Sequence, residues 1–266
     1  MKKKIIALFS LLLGYALAEN TANPEIRREN LGKGLRIAHI SDLHKKRFGK
    51  GNRILCDMVR KENPDLVIIS GDIVTRDQLD FSAVKTAVCE LCRIAPVYMI
   101  FGNHEQSLPA FKQEELLEII SRSEVKLLRN SSESVKINER CVNIIGLEPS
   151  YSTYKKNGGY KNLDVITAED MENLLGKCPD GENLLIAHNP LFAEAYAEWG
   201  ADFTFSGHVH GGSVRLFGKA MLSPERKLFP KYAKGVYSIG KMKLLVSAGL
   251  GKLRLFNPPE IVIYEL

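Results

Sequence analysis

Short apolar runs rich in β-branched residues, each ending in a polar cluster, recur along the chain and constrain its fold most strongly. In the first half Leu35–Ile40 leads into Ser41-Asp42-Leu43-His44, Leu66–Ile69 into Ser70-Gly71-Asp72, and Val97–Phe101 into Gly102-Asn103-His104-Glu105. Helix-like segments around Ile54–Glu62 and Phe81–Ile94 separate these runs. Strands that alternate with helices predict an α/β fold with parallel pairing in at least part of a sheet.

The second half is richer in predicted strands. A hairpin is expected over Ser134–Leu147 with its turn near Asn138-Glu139, and a helix around Leu191–Glu198. Further strands are predicted at Leu184–Ala187, Asp202–Phe205, Tyr237–Leu250 (two strands) and Ile261–Glu265. Two sheets packed face to face and flanked by helices fit this pattern. We find no internal repeat, low-complexity tract or second domain boundary.

The N-terminus has the layout of an export signal. Three lysines precede an apolar stretch, Ile5–Ala18, which ends in the small-x-small sequence Ala16-Leu17-Ala18. The stretch is short for a membrane span, which needs about 20 residues. We therefore expect residues 1–18 to be a signal peptide or an N-terminal membrane anchor, residues 19–34 a linker, and residues 35–266 the domain. Both options predict an extracytoplasmic domain, secreted or anchored at the cell membrane of a bacterial envelope, because the lysines stay inside.

The charge of the chain does not favour a nucleic-acid partner. Three of the 37 basic residues lie in residues 1–18, and the remaining 34 against 31 acidic residues leave a net charge of about +3. The cluster Lys45-Lys46-Arg47 lies beside the first polar cluster. It is either a solvated loop or a contact to a phosphate or lipid headgroup.

The five cysteines leave at least one thiol without a partner inside the chain. They are Cys56, Cys89, Cys92, Cys141 and Cys178. The lone Cys89-x-x-Cys92 pattern is open to three interpretations: a disulfide, half of a zinc site, or small apolar residues on the buried face of a helix. We favour the buried helix face, because no second C-x-x-C completes a four-cysteine zinc site.

Polar residues suited to metal binding concentrate at the predicted strand ends. Only His39, of six histidines, lies inside a strand. The residues at strand ends are Asp42, His44, Asp72, Asn103, His104, His188, His208 and His210. Because sites in α/β sheets gather at the carboxyl ends of the strands, distant segments are expected to bring these groups together.

The local spacings support a metal site. Asp42 and His44 are two residues apart and point the same way in an extended segment, and His208 and His210 lie near one turn. Taken alone, Asp-x-His or Gly-Asp is more often a surface turn, and His188 fits an ordinary loop. Their combination at successive strand ends favours metal. Mixed carboxylate, imidazole and amide ligands suit Mn, Fe or Zn better than calcium.

These motifs also resemble those of a known family. The ordered set Asp42-x-His44, Gly71-Asp72, Gly102-Asn103-His104-Glu105, His188 and Gly207-His208-x-His210 resembles the calcineurin-like metallophosphoesterases, over about Arg36 to Leu266. The ending from Gly249 to Ile261 is similar to the exported or membrane-associated bacterial branch of YkuE- and YaeI-type proteins. The resemblance implies a four-layer α/β/β/α sandwich of two mixed sheets flanked by helices.

The resemblance further implies a role for each matching residue. Asp42, His44 and His210 would bind one divalent metal ion. Asn103, His188 and His208 would bind a second ion, and Asp72 would bridge both. His104 would face the substrate as the catalytic group, and Glu105, where many members carry Asp, would orient His104.

The implied function is hydrolysis of a phosphate ester by a metal-bridging hydroxide, since two cations about 3.5–4 Å apart lower the pKa of a shared water. The expected substrate is a phosphodiester or pyrophosphate of lipid, nucleotide-sugar or cell-envelope type. Apolar residues at Leu216-Phe217 and Met221-Leu222 are either a rim for lipid or ordinary packing. The alternatives are a catalytically silent metal-binding scaffold, disfavoured because every ligand position is intact, and a nuclease, disfavoured by the charge and the export signal.

Overall fold

Two six-stranded sheets form the centre of the computed structural model, which describes residues 10–15, 18–19, 21–157, 159, 162–223, 228–251 and 254–266. The strands of the first sheet are β1 (Glu25–Asn30), β2 (Arg36–Ile40), β3 (Leu66–Ile69), β4 (Val97–Met99), β5 (Lys126–Leu127) and β14 (Glu260–Glu265). Their order across the sheet is β1-β14-β2-β3-β4-β5. Every pairing is parallel except that of β14 with β2, so this sheet is mixed.

The second sheet is mixed as well. Its strands are β6 (Ser131–Ile137), β7 (Arg140–Leu147), β8 (Glu182–Ala187), β9 (Phe203–Ser206), β12 (Gly235–Ile239) and β13 (Met242–Val246). They lie in the order β12-β13-β9-β8-β7-β6, with antiparallel pairs at both edges and parallel pairs between them. A separate antiparallel hairpin joins β10 (Val214–Leu216) and β11 (Lys219–Leu222).

Helices cover the outer face of each sheet. They are α1 (Arg53–Lys61), α2 (Ser82–Cys92), α3 (Asn103–Gln106), α4 (Ala110–Ser121), α5 (Ala168–Leu175) and α6 (Ala193–Trp199). Apolar residues of α1, α2 and α4 pack on the first sheet, and those of α5 and α6 pack on the second. No helix among the described residues has both the length and the apolar composition of a membrane-spanning helix.

The core between the two sheets explains why the strand sequences are nearly continuous apolar runs. Ile37 and Ile68 of the first sheet pack with Ile144, Leu184 and Phe205 of the second. Strands buried on both faces need apolar residues at successive positions rather than alternation. The helices on both outer faces complete four layers, which confirms the predicted α/β/β/α architecture.

Strand β1 lies inside the segment expected to be a linker. It pairs along its whole length with β14, so Glu25–Asn30 belongs to the sheet and not to a linker. The sequence did not indicate this strand because it is polar rather than apolar. Its long charged side chains form ion pairs instead of packing in the core. Arg27 bonds Glu260 at 3.1 Å, and Arg28 bonds Glu62. The boundary at residue 18 stays a prediction, because residues 1–9, 16, 17 and 20 lie outside the described residues.

The cysteines are all free thiols. Cys92 packs against the core under α2, and Cys89 is half-buried on the same helix. The thiol of Cys56 is buried between α1 and α2 and lies 3.8 Å from the carbonyl of Ala87. The helix interpretation of Cys89-x-x-Cys92 therefore agrees with the fold.

Candidate metal centre

The loops at the carboxyl ends of five strands meet at one edge of the two sheets. β2, β3 and β4 of the first sheet and β8 and β9 of the second supply every candidate residue named from the sequence. All of these side chains are buried: Asp42, His44, Asp72, Asn103, His104, Glu105, His188, His208 and His210. Burial of so many ionisable groups in one place is expensive unless they are paired or hold a metal.

The backbone at this edge is strained. Five of the candidate residues have φ between 52° and 66°: Asp42, His44, Asp72, His208 and His210. A residue with a side chain pays about 1–2 kcal/mol to occupy this left-handed region. Hydrogen bonds between the loops hold it there, since Gly71 and Asp72 carbonyls accept the amides of Asp42 and His44, each at 3.0 Å. Such strain concentrates at functional sites.

Two glycines let the loops approach the carboxylates closely. A Cβ on Gly207 would lie 1.9 Å from Ser41 Oγ and 2.2 Å from Asp42 Oδ2. A Cβ on Gly102 would lie 2.3 Å from Asp72 Oδ1. Neither position has room for a side chain, because these contacts are with the two acids at the centre of the cluster.

Asp72 lies among three imidazoles. Its Oδ2 is 3.3 Å from His188 Nε2, 3.9 Å from His104 Nε2 and 4.0 Å from His44 Nε2. Burial acts to raise the pKa of Asp72, but the neighbouring imidazoles outweigh it and hold that pKa well below its usual range. The carboxylate is therefore charged and central to the cluster.

Asp42 occupies the neighbouring position. Its Oδ1 is 3.6 Å from His210 Nδ1 and 3.9 Å from Nε2 of both His44 and His188. Burial raises the pKa of Asp42, and the charge on Asp72 raises it further against the opposing effect of His188. Its Oδ2 accepts the hydroxyl of Ser41 at 2.6 Å. Two buried carboxylates this near each other call for positive charge between them.

The hydrogen bond of His188 determines which of its nitrogens can bind a cation. Nδ1 lies 2.7 Å from the carbonyl oxygen of Ser70. A carbonyl only accepts, so Nδ1 carries a proton and directs Nε2 toward Asp72 and Asp42. Burial acts to lower the pKa of His188, but the two carboxylates raise it to about 9, so the negative charge around Nε2 favours a cation there.

The donor set fits divalent metal ions. Ligand atoms bound at about 2.1 Å to one ion stand about 3–3.5 Å apart, close to the carboxylate–imidazole spacings found here. Three groups have ligand atoms that all lie within 4.8 Å of one another: Asp42 with His44 and His210, His44 with Asp72 and His104, and Asp42 with Asp72 and His188. Imidazole and carboxylate ligands together suit the transition ions predicted from the sequence.

Asn103 and His208 extend the cluster on the side of His188. Asn103 Oδ1 lies 3.0 Å from His208 Nδ1, and the rings of His188 and His208 are 5.1 Å apart. The amide of His208 donates to Asp42 Oδ2 at 3.1 Å. The ring of Tyr154 packs on this side, 5.2 Å from that of His208. The structure thus brings all nine predicted site residues together.

Glu105 makes contacts other than the one that the family resemblance implies. Its Oε2 accepts the amides of Asp72 at 2.9 Å and Gly102 at 2.8 Å, and its Oε1 accepts that of Val74 at 3.0 Å. Burial and the Asp72 charge raise the pKa of Glu105 to about 8, against the amides of Val74 and Gly102, which lower it. The carboxyl group therefore holds two loops in place, and another residue contacts His104.

That residue is Arg76, which the sequence patterns did not single out. Its backbone amide donates to His104 Nδ1 at 3.2 Å, which leaves the proton of a neutral ring on Nε2. Its guanidinium lies 3.4 Å from His104 Nε2 and donates to Tyr151 Oη at 3.3 Å. Among the described residues, Arg76 has no carboxylate at ion-pair distance. One arginine in a loop forms no motif, and only its place four residues after Asp72 could have indicated it.

An open cavity lies beside Tyr151. It has a volume of about 570 Å³ and is lined by Tyr151, Ser152, Lys155, Lys156 and Asn157. Lys156 pairs with Asp164, whereas Lys155 has no carboxylate at ion-pair distance among the described residues and gives the cavity next to Arg76 a positive charge. Lys45 and Arg47, by contrast, form exposed ion pairs with Asp77 and Asp80, as a solvated loop would.

Asn257 is a second residue that sequence reasoning missed. Its carboxamide donates to the carbonyls of His210 at 2.6 Å and Gly212 at 3.0 Å, fixing the loop after β9. His39, the one histidine inside a strand, lies between the sheets with Nε2 2.8 Å from Ser70 Oγ. Burial lowers the pKa of His39 to about 3, so this ring stays neutral in the core.

Comparison with known proteins agrees with this geometry. A sequence profile of the family described as calcineurin-like phosphoesterase matches residues 35–212. Phosphodiesterase YaeI of Escherichia coli is 25% identical over 240 residues, covering 87% of this chain and 82% of the relative. The uncharacterized metallophosphoesterase YkoQ of Bacillus subtilis is 24% identical over 243 residues, covering 88% and 84%. UDP-2,3-diacylglucosamine pyrophosphatase LpxG of Chlamydia muridarum is 27% identical over 289 residues, covering 86% and 83%.

Proposed function

The chain belongs to the calcineurin-like phosphoesterase family and is a metal-dependent phosphoric ester hydrolase, and from this premise we propose that it cleaves a phosphodiester or pyrophosphate of lipid, nucleotide-sugar or cell-envelope type. The observation that carries the proposal is the buried cluster of two carboxylates and their imidazoles, which forms three overlapping groups of three residues, each with its ligand atoms within 4.8 Å of one another. Divalent ions serve this family, and we propose two of them, with Mn, Fe or Zn favoured by the mixed ligands.

We propose the following division of the ligands. Asp42, His44 and His210 hold one ion. Asn103, His188 and His208 hold the other, and the charged carboxylate of Asp72 lies between them. When bound, the pair of ions supplies an activated water and neutralises charge on the phosphoryl group.

The protein's own residues position the substrate and move a proton. Nδ1 of His104 is occupied by the Arg76 amide, so its Nε2 holds the proton that faces the substrate and passes to the leaving oxygen. The Arg76 guanidinium binds phosphoryl oxygens beside that ring, because its charge lacks a carboxylate partner among the described residues. Tyr151 holds the guanidinium in this position.

The substrate class rests on two observations. The relatives named a phosphodiesterase and a UDP-2,3-diacylglucosamine pyrophosphatase resemble this chain over most of their length. The cavity lined by Lys155 offers space and one positive charge for a further anionic part of a substrate next to Arg76. We also propose, from the sequence of residues 1–18, that the enzyme works outside the cytoplasm, secreted or held at the membrane.

A screen of metals against substrates tests the proposal. The full-length chain is loaded with Mn, Fe or Zn and assayed on p-nitrophenyl phosphate, bis(p-nitrophenyl) phosphate and a UDP-linked diacyl sugar. We expect cleavage of the diester or the pyrophosphate in preference to the monoester. Asp72→Asn is expected to lose metal and activity together, whereas His104→Ala keeps the metal and loses about 10²–10⁴-fold in rate.

Arg47→Ala serves as the matched control, since Arg47 is exposed and paired with Asp80 near the same edge. Full activity in both Asp72→Asn and His104→Ala contradicts the proposed site. A protein that binds metal but cleaves no substrate in the screen favours the silent scaffold instead.

A further inference from the structure

An exposed apolar surface lies beside the metal centre, on the β10–β11 hairpin and the segment that follows it. Phe217 at the tip is completely exposed, and Leu216 is 41% exposed. Leu228 and Phe229 are 71% and 63% exposed and pack along β11, where the amide of Phe229 bonds the carbonyl of Met221 at 3.2 Å. We call these four residues, Leu216, Phe217, Leu228 and Phe229, the hairpin surface. Neighbouring exposed apolar side chains of this kind mark interaction sites.

The turn of the hairpin does not explain why a phenylalanine occupies its tip. Phe217 has φ 50° and Gly218 has φ 76°, so both turn residues lie in the left-handed region. Such two-residue hairpin turns favour Asn, Asp or Gly at both positions, and a bulky side chain is sterically unfavourable there. Ordinary packing does not explain Phe217 either, because its side chain is completely exposed. A phenylalanine in this unfavourable backbone conformation is expected when its side chain contacts another molecule.

The hairpin surface is rigidly tied to the centre. Asn257 binds the carbonyls of His210 and Gly212, and β10 begins two residues after Gly212. The amide of Arg215 donates to the carbonyl of Leu255 at 3.0 Å, and the amide of Leu255 donates to the carbonyl of Ser213 at 3.1 Å. A body that contacts the hairpin tip is therefore held beside the metal ligands.

The apolar N-terminal segment meets the same loop. The ring of Tyr15 lies 5.0 Å from that of Phe256, and the Glu19 carboxyl group accepts backbone hydrogen bonds from Phe256 and Asn257. Leu11 and Leu13, in the same short helical stretch, are exposed. Two apolar elements far apart in sequence therefore converge on residues 254–257, next to the centre.

The charge of the hairpin indicates what covers it. Residues 213–222 contain no acid and two cations, of which Arg215 binds the carbonyls of Gly211 and Gly218 and Lys219 is exposed. Apolar side chains flanked by cations suit the interface of a bilayer with anionic headgroups, where the rings enter the acyl boundary and the cations remain at the headgroups. We propose that the hairpin surface, together with the N-terminal segment, docks the metal centre onto a bilayer containing anionic lipid.

This inference extends the proposed function, because a docked centre faces lipid-linked phosphoesters without their leaving the bilayer. It does not depend on turnover. A test that detects docking alone therefore separates failure of this inference from failure of the proposed reaction.

Fluorescence quenching by lipid detects docking directly. Full-length Phe217→Trp is reconstituted into phosphatidylcholine–phosphatidylglycerol vesicles with and without brominated acyl chains. The chain has one native tryptophan, Trp199, which is buried and bonded to the carbonyl of Gly176, and it supplies the background. We expect bromolipid to quench the added fluorescence of Phe217→Trp about two-fold. The matched control Phe111→Trp places the probe at an exposed site on α4, on the outer face of the first sheet. Its quenching by bromolipid is expected to equal that of the wild type.

Three outcomes would overturn the proposal. Quenching of Phe217→Trp no greater than in the wild type or in Phe111→Trp excludes docking by the hairpin. Unchanged quenching when Lys219→Glu is added to Phe217→Trp, or when phosphatidylglycerol is omitted, excludes recognition of anionic lipid. A blue-shifted Phe217→Trp emission without lipid, together with a dimer in sedimentation, shows that a second copy of the chain covers this surface instead.

Discussion

The backbone amide of Asp72 donates a hydrogen bond to the Glu105 carboxyl group, with 2.9 Å between the nitrogen and Oε2. The same group accepts the amides of Gly102 and Val74, so one side chain fixes the loops after β3 and β4 relative to each other. Asp72 and Asn103 project from those two loops. The positions of these two candidate ligands thus depend on the Glu105 side chain.

Glu105→Gln is expected to lower metal affinity about 10–100-fold, as loss of a contact that orients ligands does. One amide must then face the NH₂ of glutamine, which costs about 1–3 kcal/mol of stability. Calorimetric metal titration and denaturant unfolding measure both effects. Glu118→Gln, at an exposed site on α4, is the control and should change neither. A loss of activity with metal affinity and stability intact would instead support the role of orienting His104.

Arg76→Ala is expected to lower kcat/KM about 10–100-fold, because a charge that binds phosphoryl oxygens is lost. Arg76→Lys should fall between the wild type and Arg76→Ala, since it retains the charge without the forked geometry. Metal binding should be unchanged in both. Steady-state kinetics beside Arg47→Ala, an exposed control, measure the effect. Equal kinetics in Arg76→Ala and Arg47→Ala would show that the guanidinium does not reach the substrate.

Asn257→Asp replaces a donor by an acceptor 2.6 Å from the His210 carbonyl. We expect a loss of about 3–5 kcal/mol in stability, because a buried charge then faces two carbonyls, and a fall in bound metal as His210 shifts. Asn257→Ala, which only removes two hydrogen bonds, should cost about 1–3 kcal/mol. Elemental analysis with thermal unfolding measures both. An Asn257→Asp protein with full metal content would mean that this loop holds itself in place.

The lowered pKa of Glu260 predicts that its contribution to the stability of the protein is lost in acid. Burial acts to raise its pKa, but Arg27, Lys234 and the Ala248 amide outweigh burial and lower it below the ordinary value of 4.5. A carboxyl group with a lowered folded-state pKa stabilises fully above its unfolded pKa, and this stability is lost as pH falls through the folded value. Glu260→Gln should therefore be less stable than the wild type by about 1–3 kcal/mol at pH 7, with the gap narrowing below about pH 4.5. Denaturant unfolding from pH 7 to pH 3 measures the gap. If the difference in unfolding free energy between the wild type and Glu260→Gln does not change with pH, the pKa of Glu260 is not lowered in the folded protein.

The sequence predicted the strands that carry the site because they are buried on both faces. Such strands consist of unbroken apolar runs, as in Leu66–Ile69, and their ends are visible where polar residues begin. Strand β1 was missed for the opposite reason, since Arg27 and Arg28 lie on an edge and gain their stability from ion pairs with residues far along the chain. Composition alone does not reveal such partners.

The residues of the candidate site were predictable where spacing carries chemistry, as for Asp42-x-His44 and His208-x-His210. Arg76 and Asn257 were not, because each acts through one three-dimensional contact and belongs to no spaced motif. The contacts of Glu105 illustrate the same limit. The sequence indicated that Glu105 belongs to the site. Its hydrogen-bond partners could not be predicted, because they lie on loops that meet only in the folded protein.

Strand β14 lies between β1 and β2, and the backbones of Leu266 and Leu35 bond each other in both directions. The central part of the first sheet is thus completed by the stretch that leaves the ribosome after all other described strands. Until then the β14 side of β2, the strand that leads into Asp42 and His44, has no partner strand. The first sheet, and with it the loop that carries Asp42 and His44, therefore reaches its final pairing only after the chain up to β14 has been made.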